Sequence, residues 1–320
     1  MYRKLILFFT IVTILGCKKD EAIEKEIAKI DVNFTIERFD RAFAEAQPED
    51  LPKLKSTFPF LFPKRISDSV WISNLNDTLQ QQLLTEVDKA FGDLRTINNE
   101  LKQLFQHLKY YDKTFSIPRV ITLTNFVDYR NKTIATDTIV LIALDNYLGT
   151  EHEFYGDIPK YLSQNMKESQ IVSDLAANYG EKYSFQSQRK TLLDELIYFG
   201  KLLYFKDKMV PFISDAEKIG YSQEQLDWAI SNESYIWRYF IEKELLYNTD
   251  SSLPSRFVAP APFTKFYLEL DSESPGRLGQ YIGWQIVRAY MNNNDVSLMD
   301  MLQKDADEIF NKAKFKPRKD

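Results

Sequence analysis

A single cysteine, Cys17, limits the ways in which this chain of 320 residues can be stabilised. One thiol cannot form an intramolecular disulfide, so the folded part of the chain must be held by an ordinary hydrophobic core. The composition meets that requirement, because 44% of the residues are hydrophobic and 14% are aromatic. We therefore expect a packed globular body and neither a disulfide scaffold nor a disordered chain.

The residues before the cysteine are typical of an export signal. A short basic start precedes an apolar run over residues 5–15, which is too short for a membrane-spanning helix of about 20 residues. The run ends in Ile14-Leu15-Gly16-Cys17, which is similar to the bacterial lipobox. We predict a lipoprotein signal peptide over residues 1–16 and lipidation, including palmitate, at Cys17. The alternative is a plain secretion signal with an incidental thiol.

The residues after the cysteine are strongly charged. Lys18-Lys19-Asp20-Glu21 opens a polar stretch, which predicts a lipidated, solvated tether over residues 17–29. Such a charged run also resembles the export tag of some surface lipoproteins, although a plain tether is the simpler interpretation. We expect an exported protein that is lipid-anchored to a membrane of the cell envelope, at the outer membrane or facing the periplasm.

Charge and hydropathy exclude two other classes of protein. The net charge is -5 and the basic residues form no cluster, so nucleic acid is not expected as a partner. After Leu15 no apolar stretch approaches the length of a membrane span. The lipid is therefore the expected membrane attachment of the body.

The pattern of the body predicts an α+β fold. Between residues 69 and 111 apolar residues recur at spacings of three and four, which predicts two or three amphipathic helices. Residues 118–148 are rich in β-branched residues with a turn near Asn131-Lys132, which predicts a small antiparallel sheet. Helices return from residue 158, and no Gly/Ser-rich linker divides residues 30–320. We therefore predict one predominantly helical domain with a small central antiparallel sheet.

One predicted helix carries a possible site. Residues 188–206 are apolar on nearly every side of a helix, so this helix is expected at the centre of the domain. Asp194, Glu195 and Tyr198 have the spacing of the zinc-peptidase motif H-E-x-x-H, with both histidines replaced. By itself, D-E-x-x-Y is more typical of the polar stripe of an amphipathic helix.

The histidines of the chain argue against a zinc site. There are two, His107 and His152, and they are too far apart in sequence to stand at i and i+4 of one helix. Asp194, Glu195 and Tyr198 offer hard oxygen ligands, which suit tetrahedral zinc poorly. We expect no metal and no cofactor at these positions.

Two further groups of residues suit packing better than binding. Gly279 and Gly283, four apart on a predicted helix, favour the close approach of another backbone. Five aromatic residues of the preceding segment could line a groove, but their spacing favours a core. These are Trp228, Tyr235, Trp237, Tyr239 and Phe240.

Five segments carry a resemblance to a known family, namely residues 139–149, 194–198, 232–240, 275–287 and 310–317. In this order and spacing they resemble the gliding motility lipoprotein GldB family, which is related to a group of zinc-peptidase-like proteins. The resemblance implies a zincin-like fold and a role in gliding and in the secretion machinery coupled to it. It does not imply peptidase activity, because Asp194 and Tyr198 occupy the histidine positions. Glu233 or Glu242 could stand where a third ligand would be.

The resemblance and the lipobox together predict a non-catalytic envelope lipoprotein, a pseudo-peptidase that acts as a scaffold or assembly factor. Its expected partners are other gliding or secretion proteins of the envelope. One alternative is an envelope hydrolase with Glu195 as general base. Another is a lipoprotein that binds a peptide or glycan in the former peptidase cleft.

Overall fold

The computed structural model describes residues 21–269 and 271–318, so the predicted signal peptide and Cys17 lie outside the described residues. The strands are β1 (Ile36–Arg38), β2 (Arg119–Leu123), β3 (Thr133–Ala135) and β4 (Ile139–Ala143). The helices are α1, described over 21–27, α2 (Phe39–Ala44), α3 (Leu51–Thr57), α4 (Asp68–Leu75), α5 (Thr78–Ala90), α6 (Arg95–Tyr111), α7 (Lys160–Ser163), α8 (Ile171–Tyr183), α9 (Leu192–Met209), α10 (Asp215–Ile219), α11 (Gln223–Ser231), α12 (Glu233–Glu242), α13 (Leu253–Phe257), α14 (Leu278–Asn293), α15 (Leu298–Gln303) and α16 (Ala306–Ala313). The prediction of a mainly helical α+β fold is confirmed.

The sheet was predicted to be antiparallel, and this is wrong for two of its three strand pairs. The strand order is β1-β2-β4-β3, and β2 pairs in parallel with both β1 and β4. Only β3 and β4 are antiparallel. The chain reverses between these two strands, where the Thr136 hydroxyl accepts hydrogen bonds from the N–H groups of Thr138 and Ile139 at 3.3 and 2.9 Å. Because β3 supplies an extra reversal, β2 and β4 run in the same direction.

The sheet separates two hydrophobic cores. Successive side chains of a strand point to opposite faces, and β2 shows this directly. Val120 belongs to the larger core with α6, α8, α9 and α14, while Ile121 belongs to a smaller core. The smaller core is formed with the proline-rich segment before α4, where Phe58 and Phe62 are buried.

Helix α9 lies at the centre of the larger core and crosses α14 at very short range. A Cβ atom on Gly283 would lie 1.8 Å from the carbonyl oxygen of Leu196, and one on Gly200 would lie 2.3 Å from the carbonyl oxygen of Gly283. A Cβ on Gly279 would lie 2.7 Å from the Phe257 oxygen. The predicted close backbone packing at Gly279 and Gly283 is therefore confirmed.

Helix α1 lies within the segment predicted as a tether, and it is attached to α6. The side chain of Ile27 is 1% exposed. The Gln106 amide donates to the carbonyl oxygens of Ala28 and Ile30 at 3.2 and 2.9 Å. Most other side chains of residues 21–29 are exposed. The described part of the charged segment thus has one solvated side and one side that packs against the body.

Candidate functional site

Asp194 is a capping residue of α9. The helix begins at Leu192, after the N-cap Thr191, and Asp194 forms a capping box with Thr191. Its carboxylate accepts from the Thr191 N–H at 3.0 Å, from the Thr191 hydroxyl at 2.5 Å and from the Arg189 guanidinium at 2.9 Å. Burial works to raise the pKa of Asp194, but Arg189 and Thr191 hold that pKa below its ordinary value. The acceptor capacity of this carboxylate is thus used within the protein.

Glu195 and Tyr198 have different direct contacts. The Glu195 carboxylate is largely buried and lies 3.6 Å from the Lys190 ammonium. The Tyr198 ring packs edge-on against Phe199 with a centroid distance of 5.3 Å, and burial together with the negative charges of Glu181 and Glu195 raises the pKa of its hydroxyl. Among the described residues, no hydrogen bond joins the side chains of Asp194, Glu195 and Tyr198. The structure places them on one helix but does not bring them together as one site.

The two histidines lie apart and have local partners. The Nδ1 atom of His107, on α6, is 2.7 Å from the Gln103 carbonyl oxygen, and its Nε2 atom is 3.1 Å from the Glu24 carboxylate. The Nε2 atom of His152 is 3.5 Å from the Glu86 carboxylate. Within residues 21–269 and 271–318, no group of three or more His, Cys, Asp or Glu side chains is arranged to hold a metal ion.

The two candidates for a third ligand also lie elsewhere. Glu233 is 2% exposed and accepts from the Tyr281 hydroxyl at 2.7 Å and from the Arg318 N–H at 2.9 Å, so it fastens the C-terminal segment to the core. Glu242 is exposed at the end of α12. In the described part of the chain, no hydrogen bond or ion pair connects either residue to Asp194 or Glu195.

An aromatic groove of about 400 Å³ lies beside α12; we define it by Trp228, Tyr235, Tyr239, Phe266 and Leu268. Tyr235 is 55% exposed and Leu268 is 60% exposed, while the Tyr239 hydroxyl donates to the Phe266 carbonyl at 2.7 Å. The prediction that the aromatic residues of this region form a core is therefore wrong for Tyr235, because α12 has one face on the surface. It holds for the other four: Phe240 is fully buried, and Trp228, Trp237 and Tyr239 are partly buried against the larger core.

A second cavity, the basic cavity, has a volume of about 220 Å³ and includes Lys132, Asp174, Lys206 and Arg277 in its lining. Lys132 precedes β3, Asp174 lies on α8, Lys206 on α9 and Arg277 is the N-cap of α14. Sequence patterns did not predict this cavity. A local signal is present in Lys206, a lysine in the apolar stretch of a central helix, where an unpaired charge is rarely buried.

A comparison with known sequence families identifies the family of this chain. The sequence profile of the family described as gliding motility protein GldB matches residues 20–317. The chain belongs to this family. The family label marks a lipoprotein, which indicates a membrane-anchored protein of the cell envelope that acts in gliding motility.

The other comparisons add no relative. No curated protein and no solved structure matches the chain significantly. None of the helices within residues 21–269 and 271–318 has both the length and the hydropathy of a membrane span.

Proposed function

We propose that this member of the GldB family is a non-catalytic lipoprotein, anchored through Cys17, that supports gliding and the coupled secretion machinery through protein contacts. In this proposal the protein is a pseudo-peptidase: it keeps a zincin-like architecture but has no peptidase chemistry. Its partners are other envelope proteins of gliding or secretion.

The observation that carries this proposal is the role of Asp194. A metal-bound or catalytic carboxylate must keep an oxygen lone pair available for the metal or the substrate. The Asp194 carboxylate instead accepts hydrogen bonds from Thr191 and Arg189 at the start of α9. The position that corresponds to a zinc-binding histidine therefore serves the stability of the helix.

The aromatic groove supports the second part of the proposal, the contact with other proteins. Aromatic residues and arginine are enriched in the centres of protein interfaces. The groove combines Trp228, Tyr235 and the exposed Leu268 with Arg238. The exposed Tyr267 is the chain neighbour of Leu268 and extends this surface. Exposed apolar patches of this kind mark interaction sites.

The catalytic alternative is tested by Glu195→Gln. We expect a strain that lacks the gene not to spread on agar. The gene with Glu195→Gln should restore spreading in this strain as well as the wild-type gene does, because a scaffold does not need the charge of Glu195. An enzyme that used Glu195 as general base would lose about 10²–10⁴-fold in rate. Spreading is measured alongside the thermal midpoint of the purified variant.

A Glu195→Gln protein that keeps the wild-type thermal midpoint but does not restore spreading would support the hydrolase and contradict the scaffold. Zinc content gives an independent measurement. We expect less than about 0.1 zinc per chain after dialysis against a weak chelator, since oxygen ligands hold zinc poorly. Near-stoichiometric zinc would also contradict the proposal.

The anchor is tested by Cys17→Ala. This change removes the acyl chains, each of which contributes about 0.8 kcal/mol per buried CH₂ group. We expect the variant to leave the membrane fraction or to remain as an unprocessed precursor, as seen by fractionation and by gel mobility. Lys19→Ala is the matched control and should stay in the membrane fraction. Membrane fractionation and processing of Cys17→Ala identical to wild type would refute lipidation.

A further inference from the structure

Two cations of the basic cavity have no carboxylate partner. Lys206 is 8% exposed and donates to the Ser173 hydroxyl at 3.0 Å and to the Lys218 carbonyl at 2.9 Å. The partly exposed Arg277 donates to the Gly220 carbonyl at 2.7 Å. Within the described ranges, no carboxylate oxygen lies within 4 Å of the charged group of either residue. Two positive charges thus share one cavity without a counter-ion in contact.

The carboxylate that lines the cavity, that of Asp174, is already paired with a cation. The Asp174 carboxylate lies 2.5 Å from the Lys132 ammonium and accepts from the Tyr147 hydroxyl at 2.8 Å. Lys218 also borders the cavity, but its ammonium lies against Asp207 and Asp215. After Lys132 and Asp174 have neutralised each other, Lys206 and Arg277 remain as the net positive charge of the cavity.

A buried ammonium such as that of Lys206 is rarely left without a counter-ion, because burial removes the water that would solvate its charge. Burial lowers the pKa of Lys206 to about 8, with Asp174 opposing the shift, so the ammonium is still mostly protonated at pH 7. Arg277 adds backbone strain, because its φ of 62° lies in the left-handed region that non-glycine residues rarely adopt. Such strain is concentrated at functional sites.

We propose that the basic cavity binds the oxyanion of a small polar molecule, a phosphate or carboxylate group, between Lys206 and Arg277. A guanidinium and an ammonium are the side-chain groups that pair best with such oxygens. Asn165 and Gln170 also line the cavity; their amide nitrogens donate to the Gly220 and Glu217 carbonyls, and their amide oxygens can accept from the uncharged part of a polar ligand. The volume of about 220 Å³ is below that of pockets for drug-sized ligands, so the bound part is small. This inference does not depend on the scaffold proposal.

The same helix provides a matched control. Lys201 of α9 is 2% exposed, and its ammonium donates to the carbonyl oxygens of Phe185 at 3.2 Å and Leu302 at 3.1 Å and to that of Lys304. It is therefore a buried lysine with a full set of acceptors, and it does not line the basic cavity. Lys201→Met should leave anion binding unchanged.

The test is calorimetric titration of the purified mature protein with inorganic phosphate and, separately, with acetate, at pH 7 and constant ionic strength. We expect saturable binding of at least one anion. Lys206→Met and Arg277→Gln should each weaken it at least tenfold, because a charge-assisted hydrogen bond contributes that much. Preference for phosphate would identify a phosphorylated ligand, and preference for acetate a carboxylated one.

Two results would overturn the proposal. One is the absence of saturable binding of both anions to the wild-type protein, which requires no variant to fold. The other is binding that persists unchanged in folded Lys206→Met and Arg277→Gln, since the anion would then lie elsewhere. Lys206→Met is expected to fold, because methionine has a similar shape and removes an unpaired charge.

Discussion

Gly283→Ala should lower the free energy of unfolding by about 3 kcal/mol or more, or prevent folding. The new Cβ would lie 1.8 Å from the carbonyl oxygen of Leu196, and this obstacle is backbone, which cannot rotate away. Relief requires α9 and α14 to move apart, which opens gaps around Gly200 and Trp284 in a core packed at crystal-like density. Urea unfolding followed by far-ultraviolet circular dichroism measures the change.

The control for this substitution is Gly156→Ala. A Cβ on Gly156 would meet only the Glu153 oxygen at 3.4 Å, an ordinary contact, so we expect a change within about 0.5 kcal/mol. A wild-type unfolding midpoint for Gly283→Ala would show that the two helices cross at a greater distance than the structure gives.

Asp207→Ala should cost about 3 kcal/mol of unfolding free energy. Its carboxylate, at the C-terminal part of α9, accepts from the Trp284 indole at 2.9 Å, from Arg288 at 2.7 and 2.8 Å and from Lys218 at 3.1 Å. Removal leaves a buried lysine and a buried indole N–H without this acceptor. Asp215, which pairs with both Lys218 and Arg288, prevents a still larger loss.

The comparison is with an exposed ion pair. Asp137 pairs with Lys182 and is 77% exposed, so Asp137→Ala should change the stability by less than about 1 kcal/mol. Both variants can be measured by the same urea titration. Equal effects of Asp207→Ala and Asp137→Ala would show that the charge network around Asp207 does not stabilise the core.

Sequence patterns predicted the helices well, because helical periodicity is local. The three helices between residues 68 and 111 follow from the spacing of their apolar residues. The direction of the strand pairing could not be predicted in the same way, because strand pairing is non-local and β3 is only three residues long. The turn signal at Asn131-Lys132 lies between β2 and β3, but without β3 it predicts a direct antiparallel connection between β2 and β4.

The sequence contains the capping box that opens α9, but the predicted helix begins at residue 188, four residues before the observed start at Leu192. Thr191 followed three residues later by Asp194 has the form of a capping box, which marks a helix start. The predicted helix began at residue 188, so Asp194 was assigned to its interior and interpreted as a motif position. The basic cavity was beyond sequence reasoning, because Lys132, Asp174, Lys206 and Arg277 come from four separate parts of the chain.

Because α1 packs against α6, only the few residues between Cys17 and α1 would separate a lipid on Cys17 from the folded body. Four peptide units separate Cys17 from Glu21, the first described residue of α1, and they span about 14 Å at full extension. If Cys17 carries a lipid, as proposed above, Glu21 stays within about 14 Å of the bilayer surface. The search for partners is then two-dimensional diffusion along the membrane, which favours partners at or near that surface.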